Sequence, residues 1–228
     1  MEILVIGSEI NLQECRAKFG DQHLYRVAKI HSEAEQFFRL ETIIFDFRMS
    51  ETLNEIGIYQ NFAGIVFFDL SKNSLEQLVN STETKAAFFG FCGLHTFLNR
   101  EILEVSLSRK TDLEKLEEVC RKLNTKFAVV KAQVGLLTAR VICMIINEAY
   151  FAIQENIASR EDIDLAMKLG TNYPFGPFEW CEKIGVGNVY ELLNAVYEST
   201  KDERYKVCEL LEEEAGHFTQ GRKGAKNP

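Results

Sequence analysis

Seven short runs rich in β-branched and aromatic residues punctuate the first part of the chain: Ile3 to Ile6, Leu24 to Ala28, Thr42 to Phe47, Gly64 to Phe68, Lys85 to Phe91, Ile102 to Leu107 and Phe127 to Val130. Charged, helix-compatible stretches separate several of them, namely Gln13 to Phe19, Ser32 to Leu40 and Thr111 to Leu123. Strands that alternate with helices predict a doubly wound parallel sheet. The unbroken apolar run Ala63-Gly64-Ile65-Val66-Phe67-Phe68 predicts a strand covered on both faces.

After Lys131 the period changes. Gly135 to Asn156 is apolar on most sides, and Arg140, Asn147, Glu148 and Glu155 are confined to one strip. Such a helix either fills the core of its own chain or packs against a second subunit, and periodicity does not choose between the two. A second helix follows. Ser159 can cap it, Glu161, Asp162 and Asp164 suit its positive end, and Gly170 suits a left-handed stop. A turn holding Pro174 and Pro177 then leads back into helix at Phe178-Glu179-Trp180. The expected organisation is two domains, residues 1–131 and 132–228.

Composition narrows the class. At 228 residues, 46% apolar and 26% charged, the chain reads as an ordinary globular protein, and a formal charge of −8 disfavours a nucleic-acid partner. The start lacks the basic residues and long apolar core of an export signal. The longest apolar run, Val141 to Ile146, falls far below the ~20 residues of a membrane span. A cytoplasmic protein without a membrane segment is expected. Six cysteines without a CxxC pair read as buried thiols rather than as disulfides or a metal site. The basic run at 222–226 reads as a solvated end.

The order Asn147-Glu148-Ala149, then Asp162-Ile163-Asp164-Leu165-Ala166-Met167, Gly170 and Pro174-Phe175-Gly176-Pro177-Phe178-Glu179, resembles the 3-hydroxyacyl-CoA dehydrogenase family. That family commonly reads "NEA" and then "DIDxAMxxGxxxPxGPFE" in its C-terminal domain. Gly185-Val186-Gly187, the Val189 to Tyr197 segment, Asp202-Glu203-Arg204-Tyr205 and Gly221-Arg222-Lys223 continue the family's order. The resemblance implies a fold of class α/β plus all-α: a shortened Rossmann-like sheet followed by a helical domain that forms a homodimer. It also implies NAD as cofactor and an acyl thioester as substrate.

The residues expected to carry that chemistry are present in part. A dinucleotide fold ends its first strand in GxGxxG, but this chain has Gly7-Ser8-Glu9-Ile10-Asn11-Leu12. Gly7 is kept as the cofactor-binding candidate, whereas Glu9 and Leu12 replace the other glycines. A carboxylate there competes with phosphate for the same helix terminus, so Glu9→Gly is expected to raise any affinity for NADH. The acidic ribose ligand is absent too, with Lys29, Ile30 and His31 in its place.

Gly93-Leu94-His95-Thr96-Phe97-Leu98-Asn99 resembles the family's "GLHFFNP", which implies His95 as the acid/base. Ile102-Leu103-Glu104-Val105 resembles its "LVEV" strand and implies Glu104 as the orienting carboxylate. Ser71 or Ser74 aligns with the family's "SNTSSL" serine, and Ala139 replaces the asparagine of its "GFxxNR". Two readings follow: an NAD-dependent oxidoreductase of 3-hydroxyacyl thioesters or related 3-hydroxy acids, or a non-catalytic relative that binds an acyl ligand or a protein. Acyl-CoA chemistry without NAD would need only His95 and Glu104.

Overall fold

The computed structural model describes residues 1–79 and 84–224, which divide into two compact units, one up to residue 137 and one from residue 138. The first unit holds seven strands: β1 (Glu2–Ile6), β2 (Leu24–Ala28), β3 (Thr42–Asp46), β4 (Ile65–Asp69), β5 (Ala87–Phe91), β6 (Ile102–Leu107) and β7 (Lys126–Val129). They form one sheet in the order β2-β1-β3-β4-β5-β6-β7. All pairs are parallel except β5 with β6, where the chain turns back directly instead of crossing over.

The usual doubly wound order, 3-2-1-4-5-6, has three strands on the first side of its switch point. Here the switch falls between β1 and β3, and only β1 and β2 stand on that side. The helices α1 (Glu9–Phe19), α2 (His31–Ala34), α3 (Leu75–Val79) and α4 (Leu113–Lys122) connect the strands. The expected Ser32 to Leu40 helix is much shorter, because after α2 the chain tightens into a 3-10 turn at Glu35–Phe37. That turn delivers Phe38 to Tyr59 and Phe62, with ring centroids at 5.4 Å and 5.0 Å. Tertiary packing overrides local helix propensity there.

Residues of β3 and β5 are buried along their whole length, and in β4 Val66, Phe67 and Phe68 are fully buried, as the run at 63–68 predicts. Phe45, Phe67 and Phe89 lie side by side in register on adjacent strands, and their rings pack at 4.7 Å and 5.1 Å. Leu12, Cys15 and Phe19 of α1 and Leu116, Val119 and Cys120 of α4 close over the same core. Each fully buried Phe contributes roughly 2–3 kcal/mol. All six cysteines are buried thiols outside any disulfide.

The second unit is helical: α5 (Thr138–Gln154), α6 (Arg160–Thr171), α7 (Pro177–Ile184), α8 (Val186–Thr200) and α9 (Glu209–Gly224). Ser159 caps α6 by accepting the Asp162 N–H. The left-handed stop is Asn172, at φ 57°, and not Gly170, which stays inside the helix. Asn tolerates this conformation because its side chain is short and polar.

The motif that carries the family resemblance is a capping device. Asp164 of α6 accepts the backbone N–H groups of Phe178 (2.8 Å) and Glu179 (3.1 Å), which open the first turn of α7. A Cβ at Gly176 would collide with Asp164, so that position needs glycine. Pro177 starts α7 where its missing N–H costs nothing, and Glu179 turns back to accept the Gly176 N–H at 3.0 Å.

Ala139, Ile142, Cys143, Ile146 and Tyr150 of α5 are buried inside this unit, so most of its apolar face is spent within the chain. By contrast α6 has no buried residue, and Leu165 and Leu169 are 54% and 78% exposed. Side chains of the basic run at 222–226 fall outside the described residues. Among the described residues no helix is long and apolar enough to cross a membrane.

Candidate functional site

Because β1 to β4 run parallel and β5 continues them, their C-terminal ends share one edge of the sheet, where doubly wound folds hold their ligands. Gly7, Asp46, Asp69 and the 92–100 loop all follow or end these strands. Two of the four positions are filled by the protein's own polar networks.

Asp46, fully buried, accepts from the Tyr59 hydroxyl at 2.8 Å and from the backbone N–H groups of Arg48 and Met49. His31 Nε2 lies 2.8 Å from the same carboxylate. Burial, then the Asp46 charge, pushes the Tyr59 hydroxyl well above its usual range. His31 therefore occupies the position expected for the ribose ligand, but it is a buried residue tied to the end of β3.

Asp69 is the equivalent anchor at the end of β4. It accepts from the Ser71 N–H (2.9 Å), the Ser71 hydroxyl (2.8 Å), the Ser50 hydroxyl (2.9 Å) and the Gly93 N–H (2.8 Å). Burial raises its pKa, and these four hydrogen bonds act against that rise. Ser71 is fully buried with its hydroxyl given to Asp69, so the structure supports a role in holding this loop.

At the first turn, Ser8 caps α1 and Asn11 answers it. The Ser8 N–H donates to Asn11 Oδ1 at 2.8 Å, and the Asn11 N–H donates to Ser8 Oγ at 3.4 Å. Gly7 is required by this packing, since a Cβ there would lie 2.7 Å from Asn11 Oδ1 and 3.3 Å from Phe47 Cβ. Glu9 adds a negative charge in the first helical turn, and Leu12 is buried in the core. A pyrophosphate needs free amides and no nearby anion. The turn at 7–12 does not fit one in the manner of GxGxxG.

His95 lies half exposed on the loop after β5, and its Nδ1 is 3.0 Å from Glu14 Oε1 of α1. Glu14 is buried, and the same oxygen accepts the Thr96 N–H at 2.8 Å. Burial raises the Glu14 pKa, while the Thr96 N–H and His95 oppose that. The expected partner, Glu104, accepts the Leu137 N–H at 3.2 Å. Ala139 is fully buried in the first turn of α5.

Glu14 was not visible as a candidate in the sequence. It does not follow the Leu12, Cys15, Phe19 stripe, and the loop that covers it begins some eighty residues later. Within the helical unit a cavity of about 550 Å³ is lined by Tyr150, Arg160, Asp164, Phe178, Glu182 and Glu214 among others, and contains none of the expected site residues.

Residues 135–227 match the family described as 3-hydroxyacyl-CoA dehydrogenase, C-terminal domain. These residues form a domain like the C-terminal domain of that family. A 3-hydroxyadipyl-CoA dehydrogenase of Escherichia coli is 44% identical over 81 residues, 36% of this chain and 17% of the relative. A 3-hydroxybutyryl-CoA dehydrogenase of Bradyrhizobium diazoefficiens is 31% identical over 150 residues, 64% of this chain and 51% of the relative. These matches span about half, or less, of the curated relatives' length.

The likeness in fold extends further. The crystal structure of (S)-3-hydroxybutyryl-CoA dehydrogenase PaaH1 from Ralstonia eutropha superposes with a TM-score of 0.69, covering 95% of this chain and 94% of the other. At 18% identity this shows a likeness of fold.

Proposed function

We propose that the protein is an oxidoreductase of the 3-hydroxyacyl-CoA dehydrogenase kind, acting on 3-hydroxyacyl thioesters or related 3-hydroxy acids. The observation that carries this reading is His95, on the loop at the C-terminal edge of the sheet, in a chain whose helical unit is like that family's C-terminal domain. A half-exposed imidazole held at one nitrogen can take the hydroxyl proton at the other and return it in the reverse reaction. NAD is the hydride carrier that the family implies. Its grip here cannot rest on the turn at 7–12 in the usual way.

The test is NADH oxidation with acetoacetyl-CoA, comparing wild type with His95→Ala. Turnover in the wild type that disappears in the variant supports the reading. Absent turnover together with absent NADH binding supports the second reading, a non-catalytic relative that binds an acyl ligand or a protein, which the Ser8–Asn11 box and Ala139 favour.

A homodimer through the helical unit is part of the proposal. The exposed leucines of α6, rather than the largely buried α5, are the surface that a second copy would cover. Light scattering at micromolar concentration should give twice the chain mass for the wild type and the chain mass for Leu165→Glu/Leu169→Glu. A monomeric wild type removes this part.

A further inference from the structure

We propose that Glu14, from the first helix, is the positioning residue of His95, in place of the β6 glutamate that the family motif offers. The inference rests on the reading of His95 as the proton-transferring group. It adds where that group's orientation comes from.

Three independent features converge on Glu14. The first is distance: Oε1 lies 3.0 Å from His95 Nδ1, whereas Glu104 takes the Leu137 N–H. The second is a clamp. Oε1 also accepts the Thr96 N–H at 2.8 Å, so one oxygen holds the imidazole and the backbone of the next residue together. This fixes the ring relative to α1 and, through α1, to the core residues Leu12, Cys15 and Phe19.

The third is cost. Thr96 is held at φ 78°, a left-handed conformation that its branched side chain disfavours. Glu14 Oε2 and Thr96 Oγ1 are both buried without a hydrogen-bond partner. A buried carboxylate with an orphaned oxygen beside a strained β-branched residue is an arrangement that folding alone does not favour. Such features collect where side chains are placed for chemistry.

The consequence is a fixed tautomer. With the carboxylate accepting at Nδ1, the neutral ring carries its proton there and leaves the Nε2 lone pair free. That is the nitrogen able to accept a substrate hydroxyl proton.

The test is long-range proton–nitrogen NMR of the neutral imidazole, assigned by comparison with His95→Ala. The wild type is expected in the Nδ1–H form. Glu14→Gln keeps an acceptor oxygen and should retain that form. Glu14→Met should lose it, and Glu104→Gln should leave it unchanged.

In turnover, Glu14→Met is expected to lower kcat about 100-fold with KM little altered. An Nε2–H wild type, or a tautomer that follows Glu104 instead of Glu14, overturns the proposal. The wild-type spectrum decides even if Glu14→Met fails to fold. A fixed Nδ1–H tautomer without turnover would sink the oxidoreductase reading and leave the positioning role of Glu14 standing.

Discussion

The Ser8 backbone N–H donates to Asn11 Oδ1 at 2.8 Å, so the turn that would cradle a phosphate satisfies its own first amide. Removing the charge at Glu9 does not free that amide. Glu9→Gly alone should therefore raise NADH affinity only slightly, about twofold, by removing the anion, and Glu9→Gly/Asn11→Ala should raise it about tenfold, or roughly 1.4 kcal/mol. The loss of half the capping box should cost stability of about 1 kcal/mol. NADH fluorescence titration reads the first effect; the full gain from Glu9→Gly alone would show that the box is no obstacle.

Asp69 predicts both a large mutational cost and a pH slope. Asp69→Ala strands four donors in the interior and should cost about 3 kcal/mol in urea unfolding. Its pKa is raised on folding, so the native state binds the proton more tightly than the unfolded chain does. Its contribution is therefore fully present below the unfolded value near ~4 and is lost as pH rises through the folded value. The stability advantage of wild type over Asp69→Asn should shrink as pH rises through that window. A difference that grows with pH contradicts the assignment.

Asp164 should behave as an inter-helix cap. Asp164→Ala leaves the Phe178 and Glu179 amides without their acceptor and should destabilise by about 1–2 kcal/mol. Chemical unfolding monitored at Trp180, which lies on α7, is a suitable readout. No loss of stability would mean that these amides find other partners.

Thr96→Gly should stabilise the fold by about 1 kcal/mol, because glycine adopts the left-handed conformation freely and removes an unpartnered hydroxyl. If function is what maintains the strain, the more stable variant should be the slower one. A destabilised Thr96→Gly would show that the threonine is held by packing rather than against it.

The strands were legible because β-branched and aromatic runs have few other uses at that length, and each of the seven expected runs overlaps a strand. Elements of one or two turns were less so. The 3-10 segment Leu53–Tyr59 and helix α3 are too short to nucleate alone and owe their shape to packing. At the candidate site, neighbouring residues along the chain point to His95 and its loop, but not to the Glu14 carboxylate beside it. Nothing in the local pattern around Glu14 announces that a segment some eighty residues away will bury it.

The sheet's short side has a consequence for solubility. With β2 outermost, no strand among the described residues pairs with one line of its amide and carbonyl groups. Leu24 and Val27 are 52% and 37% exposed along that border. The Arg26–Glu2 ion pair at 3.3 Å sets charge among them. Desolvating that charge opposes the approach of a foreign strand, so Arg26 acts as a gatekeeper against edge-to-edge aggregation.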